Sequence, residues 1–346
     1  MIGRVSGLVA ALTLVVSACG GAGGEARGPG EANPVTLRLG YFPNVTHATA
    51  IVGIENGLFS QSLGSGVELQ ASTFNAGPAT VEALFSEAID ATYIGPNPAI
   101  NAYAQSNGTA IRIVAGSTSG GAFLVVKPGI DDAEDLRGKR LSSPQLGNTQ
   151  DVALRAWLAD QGLQTSLEGG GDVSILPQEN AQILETFQAG GIDGAWVPEP
   201  WATRLVNEGG GQVLVDEADL WPGGRYVTTH LIVRTAFLEA HPDVVERLLQ
   251  GHVASTEFVT QQPKEAKKLV NDALETLTGK RLADTTINGA WDHLQFTVDP
   301  IAPSLRKSAD DAMALGLLDR VDLDGIYDLT LLNDVLSEAG QPEVTQ

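Results

Sequence analysis

The sequence predicts an α/β protein of two similarly wound lobes with a helical C-terminal region. Short apolar or alternating runs recur between helical segments, and Gly, Pro or Asn follows most of them. Residues 83–99 and 186–201 repeat one order: the end of a helix, an Ile-Asp turn, an apolar strand and a Pro-x-Pro loop. Since strands that alternate with helices are typical of parallel sheets, we expect a mostly parallel sheet flanked by helices in each lobe.

The first lobe begins with a run of alternating apolar and polar residues. Strands are predicted over residues 35–40, 66–74, 89–94 and 111–115, with helices over 48–56, 80–87 and 99–105. Residues 116–121, rich in Gly and Ser, are predicted as a loop after the fourth strand.

The second lobe repeats the alternation. After residues 122–127, strands are predicted over residues 140–143, 173–176, 192–197 and 212–215, with helices over 130–136, 148–161, 181–189 and 200–207. After a lone apolar strand over 228–234, helices are predicted over residues 242–261, 263–276, 284–294, 302–315 and 329–338.

Residues 1–18 are typical of an export signal rather than of the fold. Arg4 precedes an apolar run, residues 8–16, which is shorter than the ~20 residues of a membrane-spanning helix. Val-Ser-Ala-Cys at residues 16–19 resembles a bacterial lipobox, so we expect Cys19 to be lipidated and to attach the chain to a membrane. The alternative is an ordinary signal peptide with an incidental cysteine. Residues 19–34 have the Gly-rich composition of a flexible tether.

Composition argues against several classes of function. With 42 acidic and 21 basic residues the formal net charge is −21, which argues against nucleic-acid binding. Cys19 is the only cysteine, so neither an intrachain disulfide nor a Cys-based metal site is expected. His230, His241, His252 and His293 are scattered without metal-ligand spacing. The sequence also lacks a Gly-x-Ser-x-Gly elbow, so we expect no enzyme, no catalytic residue, no metal and no cofactor.

Residues 142–155 run from the end of a strand through a small polar loop into a helix. Gly147, Asn148 and Thr149 place several backbone N–H groups at the positive end of that helix dipole. Such a turn holds a small anion without any basic side chain, which makes Asn148, Thr149 and Gln150 candidate ligand contacts. The alternative is that Asn148 and Thr149 only cap the helix.

Other loops are expected to face this turn. Ligands of open α/β sheets bind beyond the carboxyl ends of the strands. The loops that carry Asn44, Gly77, Asn97, Asn148 and Glu199 all follow predicted strands. We therefore expect a cleft between the two lobes that brings these loops together.

Seven segments, in their order and spacing, resemble the nitrate, aliphatic sulfonate and taurine group of ABC-transporter solute-binding proteins. They are Leu-Gly-Tyr-Phe-Pro at residues 39–43, Phe-Asn-Ala-Gly-Pro at 74–78, Ile-Asp-Ala-Thr-Tyr-Ile-Gly at 89–95, Asp-Leu-Arg-Gly-Lys at 135–139, Gly-Asn-Thr-Gln-Asp at 147–151, Ile-Asp-Gly-Ala-Trp-Val-Pro-Glu-Pro-Trp at 192–201 and the C-terminal residues 314–329. The resemblance covers residues 35–340, nearly the whole chain after the tether.

The resemblance implies the two-lobed, type II fold of periplasmic binding proteins, with chain crossovers near residues 117–123 and 226–231. Lobe 1 would comprise residues 35–120 and 228–346, and lobe 2 residues 121–227. It also implies a monomer that delivers its solute to an ABC permease and its ATPase.

In this family, polar side chains and main-chain N–H groups at helix starts hold the anionic head of the solute. By their places in matching loops, the contacts in this chain would be Asn44, Gly77, Asn97, Ser117, Thr118, Asn148, Thr149 and Gln150. These loops contain no basic residue, which fits such a scheme.

Three further residues are candidate contacts. His47 lies in the first strand–helix loop. A carboxylate at Glu199 would repel a simple anion, but it could accept a ligand ammonium or instead pair with Arg204. Trp201 could form a wall against an aliphatic tail or be a partner in closing the cleft.

We expect the solute to be a small anion: an aliphatic sulfonate first, then taurine or nitrate, with a thiamine-type pyrimidine as a different ligand class. An enzyme or a sensor partner for a membrane kinase on the same fold are the alternatives from other classes of function.

Overall fold

The computed structural model describes residues Pro34–Gln346, and within them eleven strands form two sheets. In chain order the strands are β1 (Val35–Tyr41), β2 (Val67–Thr73), β3 (Ala91–Ile94), β4 (Ile111–Gly120), β5 (Ala122–Val126), β6 (Arg140–Ser142), β7 (Ser174–Ile175), β8 (Gly194–Pro198), β9 (Gln212–Asp216), β10 (Val227–Arg234) and β11 (Leu294–Phe296). The predicted signal peptide, Cys19 and the tether up to residue 33 lie outside the described residues.

The two sheets share one strand order. The larger sheet runs β11-β4-β10-β3-β1-β2 and the smaller runs β7-β6-β8-β5-β9; we call the parts of the chain packed around them lobe 1 and lobe 2. Three strands pair in parallel in each sheet, β2-β1-β3 and β7-β6-β8. The next strand, β10 or β5, is antiparallel to both of its neighbours. The α/β class with a mostly parallel sheet in each lobe is confirmed: the strands that run against the others are β10 and β11 in the larger sheet and β5 in the smaller.

Helices cover both faces of the sheets. Within the described residues the α-helices are α1 (Ala48–Glu55), α2 (Leu58–Leu63), α3 (Gly77–Phe85), α4 (Pro96–Gln105), α5 (Thr149–Asp160), α6 (Asn180–Gln188), α7 (Trp201–Asn207), α8 (Thr235–Ala240), α9 (Pro242–Gln261), α10 (Pro263–Thr278), α11 (Asp284–Asp292), α12 (Ala302–Ala314) and α13 (Thr330–Glu338). Short 3₁₀ helices occur at Val45–His47, Glu134–Leu136, Glu217–Leu220 and Pro222–Gly224. None of the helices between Pro34 and Gln346 combines the length and apolar character needed to cross a membrane.

Each lobe has its own hydrophobic core. The core of lobe 1 is one continuous cluster, whereas that of lobe 2 consists of two layers, one on each face of its sheet. In β5, Ala122, Leu124 and Val126 belong to one layer and Phe123 and Val125 to the other, since successive side chains of a strand point to opposite faces. Burial on both faces fixes the sheet, and with it the loops at its edges.

The lobes are joined where β4 runs into β5. Gly120 and Gly121 connect these strands with φ angles of 81° and 74°, which side-chain-bearing residues rarely adopt. A Cβ on Gly121 would also lie 2.1 Å from the side chain of Leu294, so only glycine fits there without rearrangement. The second connection runs from β9 through two 3₁₀ helices to β10.

Local structure differs from the prediction at several places. The predicted helix over residues 130–136 is only a three-residue 3₁₀ helix, Glu134–Leu136. β4 extends to Gly120, so Ser117 and Thr118 lie in a strand rather than in a loop, because pairing with β10 and β11 extends the ladder. The predicted helix over residues 284–294 ends at Asp292, and β11 follows it. The short helices α2 and α8 have no counterpart in the prediction, since six residues are too few for a clear period.

Candidate functional site

A small cavity lies where loops from both lobes meet. All six parallel strands lead into loops that reach it, as expected for the carboxyl edge of an α/β sheet. Lobe 1 contributes Phe42, Thr46, His47, Asn75, Ala76, Gly95, Thr228 and Thr229, and lobe 2 contributes Pro144, Asn148, Thr149, Gln150, Asn180 and Pro198. The cavity encloses about 30 Å³, and since one water needs about 10–15 Å³, it holds a group of about two water molecules in size.

Five α-helices begin at this cavity. Its lining includes the N-cap residues of α1 (His47), α3 (Ala76), α4 (Gly95) and α5 (Asn148), and the first residue of α6 (Asn180). The first N–H groups of a helix have no acceptor within the helix and carry the positive end of its dipole. At α1 the first N–H, that of Ala48, donates to the Val45 carbonyl of the preceding 3₁₀ helix, so the other four helices offer the freer donors. Each helix start stabilises a nearby anion by about 0.3–2 kcal/mol, so the cavity favours negative charge.

None of the fourteen lining residues carries a formal charge at neutral pH. His47 is buried, and its burial lowers its pKa to about 3, so the ring is neutral. The N–H of Phe42 donates to Nδ1 of His47 at 3.3 Å, which leaves the ring proton on Nε2. His47 therefore offers the cavity a neutral N–H donor instead of a positive charge.

The buried ion pair between Asp151 and Arg155 holds the loop before α5 in place. Asp151 accepts a hydrogen bond from the Gly147 N–H at 2.9 Å and one from the Ser143 hydroxyl at 2.6 Å. The guanidinium of Arg155 pairs with the same carboxylate at 3.1 Å, and both side chains are almost fully buried. Gly147 adopts a φ of 72°, which the loop needs to turn into the helix. The pair fixes this loop under the cavity without adding net charge.

Asn148, Thr149 and Gln150, at the start of α5, all line the cavity. Asn148 accepts a hydrogen bond from the Thr149 N–H at 2.9 Å, so it also caps the helix. The two interpretations of this motif, helix cap and ligand contact, are therefore compatible, since the cap leaves the side-chain amide N–H groups of Asn148 available. His47 is the fourth predicted residue that lines the cavity.

Two predicted residues lie directly behind the lining. A Cβ on Gly77 would clash with Pro98 at 2.1 Å, so glycine allows α3 and α4 to approach, and it would lie 3.4 Å from the side-chain oxygen of the lining residue Asn148. The Thr118 hydroxyl donates to the Thr46 carbonyl at 2.7 Å and supports a lining residue. Ser117, in the same strand, is buried but does not line the cavity.

Asn44 and Trp201 contact each other across the lobes. The indole N–H of Trp201 donates to Oδ1 of Asn44 at 2.9 Å. The Arg204 guanidinium lies 4.6 Å from the centre of the Trp201 ring, on the side of a separate groove. Neither residue lines the small cavity, so their contact closes the lobes beside it.

Asn97 and Glu199 occupy the middle of the two repeated Pro-x-Pro loops, and both are turned away from the cavity. The Asn97 amide donates to the Ser308 carbonyl at 3.2 Å. The carboxylate of Glu199 is fully buried and accepts from the Thr203 hydroxyl at 2.8 Å and from Nδ1 of His293 at 2.6 Å. The expected pairing of Glu199 with Arg204 is wrong, because Arg204 binds Glu208 at 2.8 Å instead.

Ten lining residues were not among the predicted contacts. They are Phe42, Thr46, Asn75, Ala76, Gly95, Pro144, Asn180, Pro198, Thr228 and Thr229. Asn75 and Asn180 each follow a predicted strand and precede a predicted helix, so the rule that selected Asn148 would have selected them too. The remaining residues have no comparable signal in the sequence.

The described structure also has other surface hollows, one of them lined by Lys264, Lys267, Lys268 and Arg281 beside Asp284. Another hollow, of about 680 Å³, lies beside α4, and its lining includes Asp319, Asp322 and Asp324. Between Pro34 and Gln346, no group of three or more His, Cys, Asp or Glu residues is arranged to hold a metal ion.

Two lobes of equal strand order with a small cavity between them define the class of bilobal solute-binding proteins. The chain belongs to the NMT1-like family, whose model matches residues 30–274. The taurine-binding periplasmic protein of Escherichia coli (strain K12) is 30% identical over 246 residues, which span 69% of this chain and 73% of that protein.

Solved structures of similar proteins share the fold. The alkanesulfonate-binding protein SsuA from Xanthomonas axonopodis pv. citri, bound to MOPS, has a TM-score of 0.71 at 21% identity, covering 86% of this chain and 99% of that chain. The periplasmic nitrate-binding protein NrtA from Synechocystis PCC 6803 has a TM-score of 0.73 at 16% identity, covering 89% and 90%. These relatives are solute-binding proteins rather than enzymes, and their two-lobed type II fold is that of this chain.

Proposed function

We propose that this chain is the extracytoplasmic solute-binding component of an ABC importer and that it captures a small oxyanion, most favourably an aliphatic sulfonate. The observation that carries the proposal is the convergence of five helix starts on a cavity whose lining has no formal charge. An oxyanion receives N–H and O–H donors there without a counter-charge, which suits an ion that must later be released to a permease.

The surface charge of the protein is compatible with this proposal. A net charge of −21 repels anions at long range, but salt screens this repulsion over about 8–10 Å. The helix starts act at contact distance, where screening by solvent is small. Local dipoles therefore decide binding, and the surface charge affects mainly the rate of approach.

The surroundings of Glu199 support a sulfonate without an amine over one with an amine. The ammonium of taurine needs an acceptor, and the carboxylate of Glu199 is already bound to Thr203 and His293. The lining contains no carboxylate, and the Glu179 carboxylate accepts a hydrogen bond at 3.4 Å from the side-chain amide of the lining residue Asn75. This environment favours an amine-free sulfonate, whose short tail would contact the apolar Phe42, Pro144 and Pro198.

Nitrate is the second candidate within the same class of solute. The volume of about 30 Å³ accommodates the head of an anion better than a long tail. A similar structure belongs to a nitrate-binding protein, which gives this candidate independent support.

The proposed transport cycle follows from the two lobes. We infer that lobe 1, residues 35–120 and 228–346, and lobe 2, residues 121–227, close on the solute by rotation about the Gly120–Gly121 connection. The closed form would dock on an ABC permease, whose ATPase drives uptake. Similar proteins are described as periplasmic or as the ligand-binding component of an ABC-type import system, which supports an extracytoplasmic location. The lipobox-like sequence supports attachment to the membrane through a lipid on Cys19.

The test is a ligand panel on the purified protein, with two variants of Asn148. Calorimetry with methanesulfonate, ethanesulfonate, taurine and nitrate should give the highest affinity for an amine-free sulfonate. Asn148→Asp should abolish binding because it places a negative charge against the anion, although Asp caps a helix as well as Asn does. Asn148→Ala should weaken binding about tenfold or more, as expected for a lost hydrogen bond to a charged group.

The controls separate binding from folding. Asn148→Asp should keep the wild-type melting temperature without ligand, because the helix cap is preserved. Unchanged affinity in both Asn148 variants would contradict a site at this helix start. Binding of a neutral or cationic solute with no response to any anion would contradict the proposal as a whole.

A further inference from the structure

Two buried polar atoms in the cavity lack a hydrogen-bond partner. They are the hydroxyl oxygen of Thr149 and the side-chain oxygen of Asn180, in residues that are 6% and 8% exposed. Buried polar side-chain atoms in proteins nearly always have a partner, and leaving one unsatisfied is destabilising. Both atoms belong to lobe 2, and both residues line the same cavity.

A role in capping α6 does not explain why an asparagine occupies position 180. Asn180 is the first residue of α6, whereas the N-cap residue is Glu179, which makes no capping hydrogen bond. Asparagine favours helix caps and turns, where its side chain forms hydrogen bonds with the backbone. The Asn180 side chain, in the first turn of α6, forms no such bond with its own helix. The Asn180 carboxamide therefore reaches the cavity without serving the helix that carries it.

We propose that Asn180 is a ligand-contacting residue of this cavity and that, together with Thr149, it determines which oxyanions the protein accepts. The inference rests on the proposed function of the cavity as an anion site. Thr149 offers a hydroxyl, which donates to an anionic oxygen. Asn180 offers either an amide N–H or a carbonyl oxygen, depending on the rotation of its carboxamide.

The hydrogen-bonding groups of Thr149 and Asn180 predict how the protein binds protonated oxyanions. Methanesulfonate presents three acceptor oxygens, and the amide N–H of Asn180 would donate to one of them. The monoanion of methylphosphonate has a similar size and charge but also an O–H donor, which the rotated Asn180 carbonyl would accept. Wild-type protein should therefore bind both anions, with affinities within about tenfold of each other, since each forms one hydrogen bond with Asn180.

The decisive variant is Asn180→Asp. Its carboxylate has the same shape but no donor, and it places a negative charge in the cavity, so methanesulfonate affinity should fall more than about a hundredfold. A carboxylate in the first turn of a helix is favourable, so the melting temperature without ligand should stay the same or rise. A merely structural role for Asn180 would not separate affinity from stability in this way.

Two further variants complete the experiment. Asn180→Ala removes the carboxamide without adding charge and should weaken methanesulfonate binding about tenfold or more. Asn288→Ala removes an exposed asparagine from α11, remote from the cavity lining, and should leave the affinity unchanged. If Asn180→Asp does not fold, Asn180→Ala alone decides the question.

The outcomes distinguish this inference from the proposed function. If wild-type protein binds methanesulfonate and both Asn180 variants bind it equally well, the role of Asn180 is refuted and the anion site stands. If wild-type protein binds methanesulfonate but rejects methylphosphonate monoanion, Asn180 contacts the ligand only as a donor, and the specificity part is refuted. If wild-type protein binds no anion, the proposed function itself fails, and this inference fails with it.

Discussion

The Ile-Asp turn of the repeated unit makes the same backbone hydrogen bonds in both lobes, but its side-chain surroundings differ between them. In lobe 1 the Arg38 N–H donates to the Asp90 carboxylate at 3.0 Å, and the Asp90 N–H donates back to the Arg38 carbonyl at 2.8 Å. In lobe 2 the Arg140 N–H donates to the Asp193 carboxylate at 2.9 Å, and the Asp193 N–H donates back at 2.7 Å. Each Ile-Asp turn thus fixes the start of one parallel strand against its neighbour.

The difference lies in the burial of the carboxylates. The side chain of Asp90 is 1% exposed and binds the guanidinium groups of Arg38 and Arg234, at 2.6 and 3.0 Å. That of Asp193 is 24% exposed, and its charged neighbour, Lys127, lies 4.0 Å away. Burial alone would raise the pKa of Asp90, but the hydrogen bonds from Arg38 and Arg234 outweigh it and hold the pKa below its usual value. The two turns share their backbone geometry, but only the turn of lobe 1 has a buried carboxylate that is paired with guanidinium groups.

The Pro-x-Pro loops differ in the same manner. Asn97 in lobe 1 anchors α12 through a neutral amide, whereas Glu199 in lobe 2 anchors the residues between α11 and β11 through a carboxylate. Both side chains were predicted to contact the ligand. The comparison indicates that these loops orient the cavity by tying it to the C-terminal region, and that lobe 2 does so with a titratable pair.

The largest expected effect is that of Asp90→Asn. It leaves Arg38 and Arg234 facing a neutral amide, so the free energy of unfolding should fall by about 2–4 kcal/mol. The matched variant Asp193→Asn changes a partly exposed carboxylate and should cost less than about 1 kcal/mol. Urea denaturation monitored by tryptophan fluorescence measures both. Equal losses in the two variants would show that burial does not distinguish the two turns.

The pH dependence of the Asp90→Asn effect follows from the lowered pKa of Asp90. A carboxyl group with a lowered native pKa stabilises the fold above its unfolded pKa of about 4, and the stabilisation is lost as pH falls through the native value. The difference between wild type and Asp90→Asn should therefore be full at neutral pH and should shrink below about pH 4. A constant difference down to acidic pH would contradict the ionised state of Asp90.

Glu217 in lobe 2 contrasts with Asp90, because it is a buried carboxylate without a cationic hydrogen-bond partner. Burial raises the pKa of Glu217 to about 7, although hydrogen bonds from the indoles of Trp196 and Trp221 act to lower it. A raised native pKa gives stability that is full below about pH 4.5 and is lost as pH rises through about 7. Glu217→Gln should therefore gain about 1–3 kcal/mol relative to wild type between about pH 5 and pH 8. Denaturation curves at these two values test this, and the same difference at both would refute it.

Much of the fold could be predicted from periodicity and turn residues. The helix α9, Pro242–Gln261, was predicted with its observed bounds because proline starts it and a long amphipathic period follows. Ser117 and Thr118 were predicted in a loop because Gly and Ser have low strand propensity, yet pairing with β10 and β11 places them in β4. Such pairing partners lie far away in the sequence, so local patterns do not reveal them.

The candidate site was predictable where it depends on helix starts. Asn148 was selected because a polar residue after a strand begins a helix, and it lines the cavity. The directions of Asn97 and Glu199 were not predictable, because their partners, Ser308 and His293, come from the C-terminal region. Contacts between distant segments decide which loop residues face the cavity.

The smallest expected effect tests whether charge matters in the Glu199 anchor of lobe 2. The hydrogen bond that His293 donates to the Glu199 carboxylate raises the pKa of His293; partial burial opposes this shift, and the nearby carboxylates of Asp216 and Asp292 add to it. A raised histidine pKa gives stability that is full below the unfolded value of about 6.5 and is lost as pH rises through the native value. His293→Gln should therefore lower the melting temperature by about 1–2 °C near pH 5.5 and by nothing near pH 9, since a side chain that is 41% exposed is screened by solvent. Asn97→Ala, which removes the neutral anchor of lobe 1, should instead cost the same at both values. Equal pH dependence in the two variants would mean that the repeated loops do not differ in the way their charges suggest.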